Sequence, residues 1–243
     1  MNRKLAPLAF AAALLTLTGS AWAQANIDHK KALAGNVTPG DTAGYPITLS
    51  QPGHYKLMSN LMVPNGTTGV QIMANGVTLD LNGFTVTSGR TCTFANASYV
   101  TTCSANGGQV GIDGGSTANY IYTVRNGMVS GFDMGVLIDG GLVENLVVRY
   151  NRVGVTARNT RPVRLTGVLA EYNGEAGIDL LNLASIADNT VASHNTIGIR
   201  GDGGAGTVRD SLVTINATGM VKGAMQSTRV TSNKTNIAGT TAY

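Results

Sequence analysis

Charge is scarce in this sequence. Asp, Glu, Lys and Arg together make up 12% of its 243 residues, and no run of one sign occurs. With 43% hydrophobic residues present, such low charge excludes a disordered chain. The missing Lys/Arg run removes the electrostatic case for nucleic acid or an anionic membrane as partner. Six prolines exclude a collagen-like chain, and two cysteines exclude a disulfide-dense scaffold. Helix caps and helical periodicity are missing too, which argues against a helical bundle. What is plentiful is glycine, 32 residues of it, as many short strands and tight turns require.

Long apolar runs are also missing, with one exception. Met1-Asn-Arg-Lys gives a positive start, Leu5 to Ser20 is apolar, and Ala21-Trp22-Ala23 is a small-x-small cleavage site before Gln24. Pro7, Thr16, Thr18 and Gly19 interrupt the run, and it is short for a membrane span of roughly 20 residues. The expectation is a signal peptide over 1–23, a net charge that falls from +4 to +2 on its removal, and no membrane span afterwards. Such a protein works in the periplasm or outside the cell. In an oxidising compartment Cys92 and Cys103 pair as a disulfide, pinning a polar excursion over 87–108. Closing a loop of this size is worth roughly 3 kcal/mol in the chain-entropy model.

From residue 120 onward the chain repeats itself. Asn151, Asn173, Asn195, Asn216 and Asn233 fall in one column, with Phe132 in the same slot of the first copy, at steps of 19, 22, 22, 21 and 17 residues. Three residues before the slot stand Val129, Val148, Ala170, Ala192, Val213 and Val230, and eight before it Val124, Val143, Leu165, Ala187, Val208 and Met225. Six before it comes a small or polar column, Asn126, Asn145, Gly167, Asn189, Asp210 and Ser227. After the slot follow Gly135, Gly154, Gly177, Gly198 and Gly219, each succeeded by Val, Ile or Met. A period this short cannot hold two packed helices, but it fits three short strands wound as one coil. Equivalent residues then stack at the strand spacing of ~4.8 Å. The valine columns point inward, the asparagines bond along the axis, and the glycines are expected to supply positive φ at a bend.

These Asn-x-x-Gly-apolar units, at 151–155, 195–199 and 216–220 with a one-residue-longer version at 173–178, resemble those of the right-handed parallel β-helix proteins, the pectate-lyase-like superfamily. Val77 to Val86, where Asn82-Gly83 echoes Asn126-Gly127, reads as an earlier coil. The resemblance implies an all-β, single-stranded solenoid of about seven or eight coils, roughly 35 Å long, over 45–243. Residues 24–44 are then a leader or N-terminal cap, and Thr240 to Tyr243 offer little capping material at the other end.

Enzymes of this superfamily carry their active groups on outward positions of adjacent coils. Alternation places Leu137, Thr156, Asp179, Arg200 and Val221 in one outward column and Asp139, Arg158, Leu181, Asp202 and Gly223 in the next. Asp139, Arg158, Asp179, Arg200 and Asp202 form the densest charged patch and are the candidate ligand-binding residues, able to orient sugar hydroxyls or a carboxylate or to host an acid/base pair. The bland reading is salt bridging between coils, worth at most about 1 kcal/mol per pair. Arg149 above Glu171 is a further surface pair of this kind. Tyr150, Tyr172 and His194 form a short aromatic column that alternation turns inward. The excursion belongs to early coils, apart from the patch in the middle ones.

Family site residues do not carry over. Pectate lyases use clustered acidic residues for calcium with an arginine base, but here Asp179 is followed by Arg200 and Asp139 by Arg158. The polygalacturonase Asn-Thr-Asp, Asp-Asp and His-Gly units do not occur, and Val208 replaces the aspartate that a calcium-binding nonapeptide repeat around Gly203 to Gly206 would need. No metal site is assigned and no cofactor is implied, calcium being the one ion left open. Three readings follow: a non-catalytic exported protein that binds polysaccharide or another extended ligand on an outward face, a polysaccharide lyase or hydrolase with an atypical site, and a structural or assembly module.

Overall fold

A computed structural model describes residues 24–114, 120–158, 161–181, 184–201 and 206–238. Residues 1–23, where a signal peptide is expected, Asp202 and Thr240 to Tyr243 lie outside the described residues. Parallel strands stack in a 15-stranded sheet, bent along its length, and a 9-stranded sheet, and the only antiparallel pairing among the described residues is a two-stranded hairpin. The chain is a right-handed parallel β-helix of about seven turns.

One turn shows how the sequence winds. Strand Gly141–Arg149 bends at Asn145 (φ 48°), Tyr150 (φ 57°) turns the corner, Asn151 points inside, and strand Val153–Ala157 runs along the second sheet. Positive φ recurs at Asn82, Asn126, Gly167, Asn189, Asp210 and Ser227, so the first bend uses residues that tolerate the left-handed region or hydrogen-bond locally. In later turns the bent strand separates into two short ones, such as Val163–Thr166 and Leu169–Glu171.

The expected apolar columns are the observed register. Val124, Val143, Leu165, Ala187, Val208 and Met225 pair in succession, as do Val129, Val148, Ala170, Ala192, Val213 and Val230. Val136, Val155, Ile178, Ile199, Met220 and Ile237 form the third column. Most of these side chains are fully buried, and each Val or Ile so placed contributes roughly 1.5–3 kcal/mol of transfer free energy. Strand Val77–Asp80 lies in register with Tyr122–Arg125, confirming the earlier coil.

The asparagine column is a continuous ladder. The backbone N–H and side-chain Nδ2 of Asn173 both donate to Oδ1 of Asn195 at 2.9 Å, and Asn151, Asn195 and Asn216 make the same pair of bonds to the next residue of the column. Each Nδ2 also donates to a carbonyl one coil back, for Asn195 that of Ala170 at 2.9 Å. Four of these asparagines are fully buried and have their polar groups satisfied inside the stack. The ladder ends at Asn236, whose Oδ1 accepts from Asn233.

The glycine column works differently from expectation. Gly135, Gly154, Gly177, Gly198 and Gly219 are not among the residues with positive φ. They are glycine because the coils close up there: a Cβ on Gly177 would lie 2.7 Å from Nδ2 of Asn195 and 2.7 Å from the Gly198 carbonyl. At the N-terminal end, strand Gln24–Ile27 pairs with Gly53–Leu57, and a short helix that the sequence reading did not expect, His29–Ala34 with Asp28 as its cap, buries Ala32. Ile27 and Ala32 extend the core to that end of the stack.

Candidate functional site

The register brings Asp179 directly beside Arg200, as the sequence expects. Arg200 grips Asp179 with both arms, Nε to Oδ1 at 2.9 Å and Nη2 to Oδ2 at 2.6 Å, and gives its Nη1 to Glu175 at 2.8 Å. Glu175 is shared with Arg152, which forks onto Asp133 at 2.7 and 3.0 Å, and Asp133 also pairs with Arg90 at 3.3 Å. The result is one unbroken ionic row: Arg90, Asp133, Arg152, Glu175, Arg200, Asp179.

Sequence reasoning passes over four of these six residues. Asp133, Arg152 and Glu175 follow the asparagine slot on successive coils, with Gly174 inserted in the third, so charge alternation just after the slot was the available signal. Arg90 stands in the excursion, where the repeat gives no register, and nothing in the sequence points to it.

The electrostatics follow from the pairing. The hydrogen bond from Arg152 holds the Asp133 carboxyl below its ordinary range against the effect of burial. Burial pushes Glu175 up, but Arg200 and Arg152 outweigh it and bring it below the usual value. For Asp179, only 3% exposed, burial wins and raises the carboxyl despite Arg200. The Arg152 and Arg200 guanidiniums are held still more firmly protonated by the carboxylates they grip. Three cations face three anions, so the row has alternating charge and no net charge.

The other predicted residues do not join it. Asp139 and Arg158 gather near the buried Tyr122, whose hydroxyl donates to the Leu137 carbonyl at 3.2 Å and accepts from Asp139 N–H at 3.4 Å. Burial pushes the Tyr122 hydroxyl far up; the hydrogen bond from the Asp139 N–H opposes the rise, the Asp139 and Asp113 charges add to it, and Arg158 opposes it. The five-residue patch is therefore two groups plus Asp202, which is outside the described residues. Nor is the outward column an open face, since Leu137 and Thr156 are 5% and 7% exposed. Among the described residues no group of three acidic, His or Cys side chains converges to hold a metal ion, and no helix is long and apolar enough to cross a membrane.

The disulfide is present, and its location is the main correction to the sequence reading. Cys92–Ala95 and Val100–Cys103 form an antiparallel hairpin closed by the Cys92–Cys103 bond. The hairpin leaves the early coils and folds over the middle ones. Thr101 N–H donates to the Thr196 hydroxyl at 3.3 Å, that hydroxyl donates back to the Thr101 carbonyl at 3.2 Å, and the Thr101 hydroxyl donates to the His194 carbonyl. Both sulfurs lie against the Asn151 carbonyl at 3.4 and 3.8 Å, a contact rather than a hydrogen bond because neither carries a proton.

The hairpin rests on the aromatic column, which is outside the core. Tyr150, Tyr172 and His194 have φ of 55–57°, and this left-handed residue between an outward and an inward neighbour breaks the alternation that had turned them inward. Tyr172 stacks on Tyr150 at 5.7 Å and on His194 at 4.6 Å, and Phe94 of the hairpin meets Tyr172 and His194 edge-on at 6.2 and 4.9 Å. Arg149 pairs with Glu171 at 3.5 Å and covers the Tyr150 ring. Between hairpin and ionic row lies a cleft of about 310 Å³, lined by Arg90, Thr101, Thr102, Arg152, Gly174 and Glu175 among others.

No protein-family model and no curated protein matches the chain. Among solved structures it is similar to the A-module of the mannuronan C-5 epimerase AlgE4 from Azotobacter vinelandii, at 12% identity and a TM-score of 0.39, over 85% of this chain and 67% of that one. The fold assignment rests on the register described above.

Proposed function

We propose that this β-helix is an exported binding protein that holds an extended polyhydroxylated polymer, a polysaccharide, along the ionic row, with the hairpin as one wall of the site. The observation that carries this reading is the half-exposed sequence Asp133, Arg152, Glu175, Arg200, which offers acceptors and donors in alternation beside a cleft. Such alternation suits hydroxyls, which both donate and accept. Its charge balance gives no attraction for a polyanion, so neutral glycans are favoured over uronic ones. Turnover is not favoured: Asp179 is buried with both oxygens engaged by Arg200, and the half-exposed Asp133 and Glu175 carboxylates are held below their ordinary range, so none is placed to take a proton from a bound sugar.

The test is a glycan array probed with the folded protein, together with an ultraviolet absorbance assay on uronic-acid polymers. The reading expects binding to a neutral glycan without turnover, weakened roughly tenfold by Arg152→Gln, which removes a charge-assisted contact. Thr102→Trp, which leaves the row intact and fills the cleft from its exposed wall, is expected to weaken the same binding. An absorbance rise that Arg200→Ala abolishes would replace the binding reading with a lyase.

A further inference from the structure

One groove on the opposite sheet has a chemistry unlike the ionic row. Its volume is about 450 Å³, and Ile121, Leu142, Pro162, Val163 and Ile186 are among the residues that line it. Ile121 is 51% exposed and Leu142 36%, among the few large apolar side chains the described residues leave in solvent. The placement follows from register. Leu142, Arg164 and Ile186 are paired on three successive coils at a position that strand alternation turns away from the core, so apolar residues sit where polar ones are usual.

Two cations line the groove, and they differ. Arg164 is paired with Asp188, 2.8 Å away, a carboxylate that Arg209 shares at 3.0 Å. The stem of Arg161 lies against Gly140, where a Cβ would come within 3.0 Å of it, and its guanidinium makes no ion pair or hydrogen bond among the described residues. The groove therefore joins an aliphatic floor to Arg161, a cation that has no ion pair among the described residues. Its size and apolar lining, with a few polar groups fixing orientation, are those of a small-molecule site.

We propose that this groove binds a monoanionic amphiphile, an unbranched acyl chain laid on Leu142 and Ile186 with its carboxylate paired to Arg161. A sugar fits poorly, because apart from the two arginines no lining side chain carries a hydrogen-bonding group. A carboxylate at Arg161 gains a charge-assisted bond, and the chain removes apolar surface from water at both partners.

The proposal is tested by calorimetric titration of the full chain with decanoate below its micelle concentration and, separately, with decanol. Saturable one-to-one decanoate binding is expected, with decanol weaker by roughly fivefold, the scale of an exposed ion pair. Arg161→Gln is expected to bring decanoate down to the decanol level while leaving decanol unchanged, and Leu142→Gln to weaken both. Both positions are exposed, so the variants are expected to keep the wild-type circular dichroism. Absence of decanoate binding, equal affinity for acid and alcohol, or an Arg161→Gln variant that binds decanoate as wild type does would each overturn the assignment. Arg200→Gln, on the ionic row, is expected to leave decanoate binding unchanged; a loss there would place the amphiphile on the row and also overturn it.

Discussion

Gly174 stands where any side chain would strike the disulfide: a Cβ built on it would lie 2.6 Å from the Sγ of Cys103. This relationship accounts for the irregular repeat unit at 173–178. The extra residue is the glycine that lets the hairpin sulfur settle onto the coil, and the Glu175 that follows it carries the ionic row past the insertion.

Gly174→Ala is therefore expected to lift the hairpin without unwinding the coils beneath it. Overpacking at this contact costs about 1–3 kcal/mol if the hairpin stays docked, and moving the hairpin relieves it. Thiol trapping during exposure to dithiothreitol should show the Cys92–Cys103 bond reduced several-fold faster than in the wild type. An unchanged rate would mean that the hairpin is not seated on Gly174.

Asn195 and Asn236 separate the interior of the ladder from its end. Asn195 accepts two hydrogen bonds and donates two from its amide while fully buried, whereas Asn236 accepts two at an exposed site. Asn195→Ala strands the buried backbone N–H of Asn173 and is expected to cost on the order of 3 kcal/mol. Asn236→Ala should cost less than about 1 kcal/mol, water replacing the lost acceptor. Urea titrations of the two variants check the contrast.

Two glycine substitutions distinguish close approach from conformational need. Gly198→Ala would place a Cβ 2.6 Å from Val213 and 2.5 Å from the Gly219 carbonyl, while Gly83→Ala meets nothing within 4 Å but holds a residue at φ +80°. The first is expected to destabilise by about 3 kcal/mol or more, since backbone one coil away must move. The second should cost roughly 1–2 kcal/mol. Chemical denaturation would order them, and the reverse order would refute the close-packing role.

His194 makes hairpin docking sensitive to acid. Burial beneath the hairpin holds its pKa below the ordinary value of 6.5, with Glu171 opposing, and its Nδ1 has no hydrogen-bond partner among the described residues. A base whose pKa is depressed in the docked state takes its proton more readily when undocked. Docking free energy is thus complete above about pH 6.5 and is lost as pH falls below it. Hydrogen exchange over 92–103 should show protection declining in that range, and His194→Gln should flatten the profile. Asp133 and Glu175, held below ordinary carboxylate values, contribute stability that is lost only at still lower pH, so the two effects separate.

Most of the winding was legible in the sequence because it depends on residues equivalent from coil to coil. The valine columns, the asparagine ladder and the Asp179–Arg200 pair need only a period and a strand alternation. The errors fall where alternation is interrupted. One left-handed residue placed Tyr150, Tyr172 and His194 outside rather than inside, and a bend at Asn126 or Asn145 met the need for positive φ that had been assigned to the glycines.

The sequence by itself determined the coil, because stacked identical positions force the same local choice of inward valine, bonded asparagine or absent side chain in each turn. Only the tertiary structure decided where the hairpin lies. An excursion between coils has no repeat to register it, and its seat on Thr196, His194 and Gly174 is a contact between segments some 70 to 95 residues apart in sequence. The walled cleft and the full ionic row exist because that docking brings Arg90 and Thr102 beside charges on the middle coils, a proximity that chain order does not encode.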